Sequence, residues 1–290
     1  MGGQKSKPES EPEVFKQPWR NIDWNPNNLK SELSELLTFM ENHQDIKQFR
    51  ILLHGPAGAG KSCFINSVMS VYKGRIVFRA AEENSAGKSC TNKYKTYKIT
   101  DKDSVTLPFV ISDVMGLEDE DKDGIHPNDI KNVLHGHVKE GYKFNPVSQL
   151  TYDDPGYIDK PSVNDKVYCL VSVLDAMCIS LMENKMIQKM KAVRESALEL
   201  GIPHVVLMTK IDTDVCPLVT KDLAEVYKSR KIKEKMQECS HTIGPPLKCI
   251  FPVSNYYKET EIDDKKDVLI LSALKGIVGF VNDYTEDINI

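Results

Sequence analysis

The sequence has no long apolar run, no paired-cysteine motif and no large excess of charge of one sign. Its 290 residues carry 38 basic and 42 acidic side chains, a net charge of −4, so a general nucleic-acid-binding surface is not indicated. The seven cysteines are scattered without a C-x-x-C pair, and no apolar signal segment stands at the start. These absences argue against a disulfide-stabilised or membrane-spanning protein and predict a cytoplasmic location.

What is present is typical of a globular protein, with 40% hydrophobic and 28% charged residues. Residues 1–17 are polar and broken by prolines, which predicts a disordered tail. Residues 18–47 are predicted to form a helical segment with apolar residues on one face. From residue 48 to residue 290, strand-like and helix-like segments alternate, which predicts a parallel sheet flanked by helices. Residues 118–166 break this alternation and are interpreted as an insertion.

Short apolar runs and helical periodicities locate the elements of the alternating region. Strands are predicted at Phe49–Leu53, Phe109–Ser112, Val167–Leu174, His204–Met208 and Lys248–Val253. Helices are predicted at Ser62–Val71, Asn184–Leu200, residues 220–238 and Lys265–Asp283. The leucines, methionines and valines at helical spacing in these helices indicate core packing.

The clearest motif is a phosphate-binding P-loop between the first of these strands and the first helix. The run GPAGAGKS, which starts at Gly55, matches G-x-x-x-x-G-K-[ST] at each fixed position. Glycines let backbone N–H groups point at phosphate oxygens, and the next helix adds its positive N-terminal end. Lys61 is predicted to lie between the β- and γ-phosphates and Ser62 to take a Mg²⁺ position. The predicted phosphate-binding residues are Gly55, Gly58, Ala59, Gly60, Lys61, Ser62 and Cys63.

A D-x-x-G motif follows the next apolar strand. Asp113 is predicted to hold Mg²⁺ through a water, and the Gly116 N–H to respond to the γ-phosphate. Small GTPases place a water-orienting glutamine directly after this motif, but here the residue is Leu117, so hydrolysis is predicted to be slow or assisted by a partner. Thr91 is a candidate for the switch threonine that contacts Mg²⁺ and serves hydrolysis; a polar loop threonine without such a role is the alternative.

A third motif predicts which base is bound. In the run TKID, the Asp212 carboxylate can accept from the ring N–H and the exocyclic amine of guanine, whereas adenine has no such donor pair. The Lys210 stem can cover the base. Asparagine is usual in the first position, so Thr209 departs from the pattern, and a surface turn is the alternative. Ser254 and Asn255 follow the next strand, where a base-supporting loop belongs.

The first six residues, MGGQKS, match the N-myristoylation pattern M-G-x-x-x-[ST]. Acylation of Gly2 would give reversible membrane binding, because a single myristoyl chain is a weak anchor. An unmodified tail is the alternative.

Several longer runs resemble the interferon-induced protein 44 family. They are LLHGPAGAGKSCFINSV, TYKIT with PFVISDVMGLED, KFNP with YIDKPS, and VSNYYKETEIDDKKDVLILSAL. The resemblance covers most of residues 45–286. It implies a cytoplasmic, interferon-inducible, GTP-binding-like protein of innate antiviral responses that lacks the longer N-terminal domain of some relatives.

Together these features predict an α/β P-loop NTPase: a Ras-like G domain with a mostly parallel central sheet, flanking helices and an insertion after the D-x-x-G motif. The leading functional hypothesis is a switch protein that binds GTP or GDP with Mg²⁺ and has unidentified protein partners, as a monomer or homodimer. A nucleotide-stabilised interaction scaffold without turnover is the first alternative. A P-loop ATPase is the second, and Asp212 disfavours it.

Overall fold

The computed structural model describes residues 14–41, 43, 45–80, 92–120 and 123–288. Within these residues six strands form one sheet with helices on both faces. The strands are β1 (Phe49–His54), β2 (Lys95–Thr100), β3 (Thr106–Asp113), β4 (Val167–Asp175), β5 (His204–Thr209) and β6 (Ile250–Pro252). The helices are α1 (Pro26–Glu41), α2 (Lys61–Lys73), α3 (Pro127–His135), α4 (Asn184–Glu199), α5 (Pro217–Lys221), α6 (Arg230–Ile243) and α7 (Asp264–Asp287).

The strand order across the sheet is β2-β3-β1-β4-β5-β6. β1 pairs in parallel with both β3 and β4, and the parallel arrangement continues through β5 to β6. β2 runs antiparallel at the edge beside β3. β4 and β5 consist almost entirely of buried residues, as expected for strands covered on both faces. The predicted mostly parallel sheet with flanking helices is confirmed.

The two faces of the sheet carry separate apolar cores. α1, α2 and α7 pack on one face, where Leu33, Phe64 and Leu271 are buried. α3, α4 and α6 pack on the other, where Ile130 and Met190 are buried. Because β1 has a neighbour on each side, the loop that follows it lies near the middle of the carboxyl edge, where ligands of open α/β sheets bind.

Helix α7, with 24 residues, is long and apolar enough to cross a membrane by length and composition alone, yet most of that apolar stretch is buried inside the domain. Its apolar residues at helical spacing are all buried: Val268, Leu271, Leu274, Ile277 and Val281. α1 packs along this helix, and Asn282 Nδ2 donates to the Leu36 carbonyl at 3.1 Å. The helical segment predicted at residues 18–47 therefore shares the core of the domain.

The insertion predicted at residues 118–166 contains a helix that the sequence analysis did not identify. α3 follows β3 and leads to β4, so it is the helical crossover between two strands of the parallel sheet. Its signals were present in the sequence: Pro127 at the start, apolar Ile130 facing inward, and Gly136 as the left-handed C-terminal cap. α3 therefore interrupts the predicted insertion, and the bridges that start within residues 137–166 are isolated.

Two other elements differ from the predictions. β2 was missed, because its exposed and buried residues alternate at the sheet edge and give no continuous apolar run. The helix predicted at residues 220–238 is interrupted: α5 is followed by a 3-10 turn at Leu223–Glu225, and α6 starts afterwards. The Ser229 hydroxyl caps α6 by accepting from the Ile232 N–H at 3.2 Å.

The contacts of Phe15 also differ from the prediction. The Phe15 N–H donates to the Lys228 carbonyl at 2.9 Å, and the Phe15 ring lies 4.8 Å from the Arg230 guanidinium. The tail boundary predicted at residue 17 is therefore too late. Gly2, the predicted acylation site, and Thr91, the predicted switch threonine, lie outside the described residues.

A buried histidine–serine–histidine contact crosses the middle of the sheet. Ser172 Oγ lies 2.6 Å from His54 Nε2 and 2.8 Å from His204 Nε2. Burial lowers the pKa of both imidazoles, well below the usual value for His54 and to about 3 for His204. Both rings are therefore neutral near pH 7, and the single hydroxyl can donate to one ring while it accepts from the other.

Acidification is expected to destabilise the fold through these two histidines. The unfolded chain takes up their protons near pH 6.5, whereas folded His204 does so only near its pKa of about 3, so stability falls as the pH drops through this window. We expect His204→Gln to remove about 1.4 kcal/mol per pH unit of this dependence in urea unfolding between about pH 6 and pH 4.5. His241→Gln, at an exposed site in α6, is the control. If the free energy of unfolding of His204→Gln and of the unaltered protein changed equally with pH, the low pKa assigned to His204 would be wrong.

Candidate functional site

The P-loop joins β1 to α2 at the carboxyl edge of the sheet. Gly55 has a φ of 143°, and a Cβ atom there would lie 2.2 Å from the Val173 carbonyl oxygen of β4, so only glycine fits. Gly58 also has a positive φ, and Gly60 caps the N-terminus of α2 in the left-handed conformation. The loop therefore curls tightly in front of the helix, as a phosphate-binding loop must.

The Lys61 side chain folds back over this loop. Its Nζ donates to the Gly55 carbonyl at 3.1 Å and to the Pro56 carbonyl at 2.9 Å, and the residue is largely buried. The ammonium is thereby held at the mouth of the loop, where it can act as a point charge for a phosphate. Cys63 lies half-buried in the first turn of α2.

Ser62 and Asp113 meet beside the loop. The Ser62 hydroxyl, in the first turn of α2, donates to Asp113 Oδ2 at 3.0 Å, and both residues are buried. A hydroxyl and a carboxylate offer hard oxygen ligands, so this pair could hold Mg²⁺ whose other positions would be taken by phosphate and water. Within the residues that the structure describes, no group of three or more His, Cys, Asp or Glu side chains forms a metal site by itself.

The loop after Asp113 is docked against the P-loop. The Leu117 N–H donates to the Gly55 carbonyl at 3.0 Å, and the Ala57 N–H donates to the Leu117 carbonyl at 3.2 Å. A Cβ atom on Gly116 would lie 2.9 Å from the Ala57 backbone, so glycine is needed for this close approach. The Leu117 side chain is fully buried in the second core. An apolar side chain therefore stands where a polar one would be needed to orient water.

Thr209 ties the predicted base-binding loop to the P-loop. Its hydroxyl donates to the Ala59 carbonyl at 2.6 Å, with the Leu174 carbonyl 3.2 Å away. The next residue, Lys210, has a left-handed φ of 56° and pairs with Asp175 at 2.9 Å. Although threonine departs from the usual asparagine, its short hydroxyl side chain bridges the two loops.

Asp212 lies beside Ser254 and the start of α7. Ser254 Oγ donates to Asp212 Oδ2 at 2.6 Å, and Lys266 Nζ lies 3.1 Å from the same oxygen. Asn255 Nδ2 donates to the Gly60 carbonyl at 3.2 Å, which connects this loop to the P-loop as well. Burial opposes ionisation of Glu259, but hydrogen bonds from the Tyr257 N–H and from Lys266 outweigh it and lower the pKa of Glu259 to about 2.

The structure therefore brings the four predicted segments together at one edge of the sheet. They are Gly55–Cys63, Asp113–Gly116, Thr209–Asp212 and Ser254–Asn255. Their roles in binding a nucleotide stay predictions. The sequence analysis missed Asp175 and Lys266. Asp175 ends β4 and could have been noticed there, whereas no sequence signal places Lys266 beside Asp212.

The strand order and the P-loop after the central strand define an α/β domain with a P-loop GTPase-like fold. By sequence, the chain is a relative of the interferon-induced protein 44 family. Human interferon-induced protein 44 is 40% identical over 262 residues, which is 89% of this chain and 58% of the human protein. The mouse protein is 36% identical over 266 residues, 90% of this chain and 61% of its own length.

A second human relative, interferon-induced protein 44-like, is 34% identical over 244 residues, 84% of this chain and 54% of that protein. The resemblance found in the sequence motifs is thus confirmed over most of the chain, which spans less than two thirds of each of these relatives. No family model matches the chain.

Two solved structures of GTP-binding proteins match the chain with low similarity scores. A probable GTP-binding protein engB covers 81% of this chain and 99% of its own, with 14% identity and a TM-score of 0.40. An ADP-ribosylation-factor-like GTP-binding protein, small COPII coat GTPase SAR1 from Encephalitozoon cuniculi in complex with GDP, covers 91% and 93%, with 13% identity and a TM-score of 0.39. At these scores the fold assignment depends on the strand order described above.

The hydrogen bond between Thr209 and the P-loop can be tested by measuring the free energy of unfolding. Thr209→Val keeps the shape of the side chain but leaves the buried Ala59 carbonyl without its donor, which is expected to cost about 1–2 kcal/mol in urea unfolding. Thr213→Val is the control, because the Thr213 hydroxyl donates to the Lys210 carbonyl in an exposed turn. Equal losses in the two variants would show that the Thr209 hydroxyl has no special role.

Proposed function

We propose that this chain binds a guanine nucleotide, GTP or GDP, together with Mg²⁺ and acts as a nucleotide-dependent switch. The contact between Ser62 and Asp113 is the observation that carries the proposal. Ser62 Oγ of the P-loop lies 3.0 Å from Asp113 Oδ2 of the D-x-x-G segment. These are the two kinds of oxygen ligand that a nucleotide-bound Mg²⁺ requires from the protein. When bound, Mg²⁺ would neutralise charge on the phosphates.

The phosphates are bound by the loop amides and by Lys61. The carbonyl groups of Gly55 and Pro56 hold the ammonium at the loop, so little side-chain freedom remains to be lost when a phosphate binds. The positive end of α2 acts at the same place. A nucleotide can therefore bind without rearrangement of this part of the site.

The base is bound between Lys210 and the Asp212 carboxylate. Ser254 and Asn255 support this arrangement, since one donates to Asp212 and the other to Gly60. Adenine has no N–H to donate to the remaining oxygen of this carboxylate, and an acceptor that loses its water without gaining a donor is costly in a partly closed site. This favours a guanine-binding protein over an ATPase.

Hydrolysis by the isolated chain is proposed to be slow or partner-assisted. Leu117 cannot polarise water, and its backbone pairs with Gly55 and Ala57, so the D-x-x-G loop is held against the P-loop. Thr91 remains the proposed switch threonine. A scaffold that binds nucleotide without turnover is the second candidate, favoured by the complete burial of Leu117.

The relatives are named as interferon-induced proteins. We therefore propose that this chain is also interferon-induced, cytoplasmic and part of an antiviral response, with a homodimer or other protein partners. Myristoylation of Gly2 would add a reversible membrane-bound fraction. Immunoblots of fractionated cells before and after interferon treatment test the induction and the location of the protein, with Gly2→Ala for comparison. If the abundance of the protein does not change on treatment, the proposal that it is interferon-induced is wrong.

Binding is tested by titration with GDP and ADP, with and without Mg²⁺. Lys61→Ala should weaken GDP binding at least about tenfold, because a hydrogen bond to a charged phosphate contributes about 1.5–3 kcal/mol. Lys73→Ala, in the last turn of the same helix, is the matched control. Circular dichroism checks the fold of both variants. Tight GDP binding by folded Lys61→Ala would refute the phosphate site, and equal affinities for GDP and ADP would refute the base role of Asp212.

Hydrolysis is tested by multiple-turnover assays across a range of protein concentrations. The expected rate is near ~10⁻⁴ s⁻¹, the scale of unassisted small GTPases, because Leu117 supplies no polar group. A rate that rises with protein concentration would indicate assistance by a second copy. No turnover at any concentration, with GTP still bound, would favour the scaffold. A rate several orders of magnitude faster at all concentrations would mean that another residue orients the water.

A further inference from the structure

Lys266 is a buried cation at the edge of the predicted base site. Its side chain is 9% exposed, and its Nζ lies 3.1 Å from Asp212 Oδ2 and 2.9 Å from Glu259 Oε1. Ser254 Oγ, at 2.7 Å, and the Asn255 carbonyl, at 3.2 Å, are two further acceptors. An ammonium group has three hydrogens to donate, so these acceptors occupy it completely. Lys266 therefore has no hydrogen to spare for a bound base.

The first turn of α7 holds Lys266 in this place. The Asp263 side chain caps the helix by accepting from the Lys265 N–H at 2.8 Å and from the Lys266 N–H at 3.0 Å. The Tyr256 hydroxyl donates to Asp267 Oδ1 at 2.6 Å, so the loop before α7 is hydrogen-bonded to the first turn of that helix. The lysine backbone is thus anchored on both sides, and its contact with Asp212 is a built feature of the domain.

The position of Lys266 limits how many further hydrogen bonds one oxygen of the Asp212 carboxylate can accept. Oδ2 accepts from Ser254 Oγ at 2.6 Å and from Lys266 Nζ at 3.1 Å. A carboxylate oxygen has about two lone-pair sites, so Oδ2 is fully used by these two donors. With Ser254 as its only donor, Oδ2 would keep one lone-pair site open, and Lys266 occupies that site. Oδ1 is the oxygen that remains for a base.

Purine bases differ in the donors that they present to such a carboxylate. Guanine presents its N1–H and its 2-amino group side by side, and a pair of hydrogen bonds to them needs both oxygens of Asp212. Hypoxanthine presents the N1–H alone, and adenine presents no N–H at this ring atom. The two N–H groups of guanine point in parallel directions, so a single oxygen cannot align with both of them, whatever its number of lone pairs. A site with one available oxygen therefore accepts the N1–H and gains no second well-aligned hydrogen bond from the 2-amino group.

We infer that Lys266 restricts Asp212 to a single hydrogen bond with the base, so that this site recognises the ring N–H shared by guanine and hypoxanthine and does not read the 2-amino group. The inference rests on the proposed nucleotide binding and names the specificity of that same site. Lys266 acts here as a specificity-determining residue without touching the base itself.

The test is calorimetric titration of the full chain with GDP, IDP and ADP in the presence of Mg²⁺. GDP and IDP should bind with affinities within about threefold of each other, and ADP at least about tenfold more weakly. GDP binding more than about tenfold tighter than IDP would overturn the inference and leave the proposed function intact. Binding of none of the three would overturn both.

Variants then assign the effect to Lys266. In Lys266→Met/Glu259→Gln, the lysine and its second carboxylate partner are removed together. Asp212, with 27% of its side chain exposed, loses its cation but keeps the hydrogen bond from Ser254, and Oδ2 regains one lone-pair site. We expect GDP to bind about tenfold more tightly than IDP in this variant, the equivalent of about 1.4 kcal/mol. An unchanged ratio of GDP to IDP affinity would overturn the role of Lys266.

Two further variants make the assignment specific. Lys265→Met/Asp222→Asn removes the neighbouring exposed ion pair and should keep the original GDP-to-IDP ratio. Ser254→Ala vacates the other lone-pair site of Asp212 Oδ2 and should raise the ratio as the Lys266 variant does. If that variant instead keeps the original ratio, occupancy of Oδ2 is not the cause and the inference fails.

Discussion

The parallel pairing of β1 with a neighbour on each side determines where every loop of the candidate site lies. Leu53 of β1 is in register with Asp113 of β3, and His54 is in register with Ser172 of β4. The chain leaving β1 therefore turns beside the end of β3, and Ser62 at the start of α2 reaches Asp113. Since parallel strands share one carboxyl edge, the loops after β5 and β6 come to the same place.

Hydrogen bonds between these loops then hold the edge together. The P-loop carbonyls of Ala59 and Gly60 accept from Thr209 and Asn255, and the backbone of Leu117 pairs with the start of the loop. Thr209 and Leu117 both depart from the usual G-domain residues, but with different consequences. The hydroxyl of Thr209 makes a link between the loops, whereas the leucine side chain joins the core and leaves that position without a polar group.

Buried polar groups in this domain are matched to hydrogen-bond partners. His54 and His204 share one hydroxyl and stay neutral, while Lys266 is surrounded by acceptors that include two carboxylates. Removing a single partner from such a group is costly, because the remaining group is then buried without a hydrogen bond.

The amino-acid sequence by itself determined the features that depend on local patterns: the P-loop, the buried strands and the apolar face of α7. It also contained the helical signals of α3, although the surrounding loop residues concealed them. Tertiary structure alone decided the contacts between distant segments. Lys266 lies 54 residues from Asp212 in the chain, and Ser254 lies 42 residues from it. Their meeting depends on how α7 docks against the sheet, and side-chain packing in three dimensions leaves no periodic signal in the sequence.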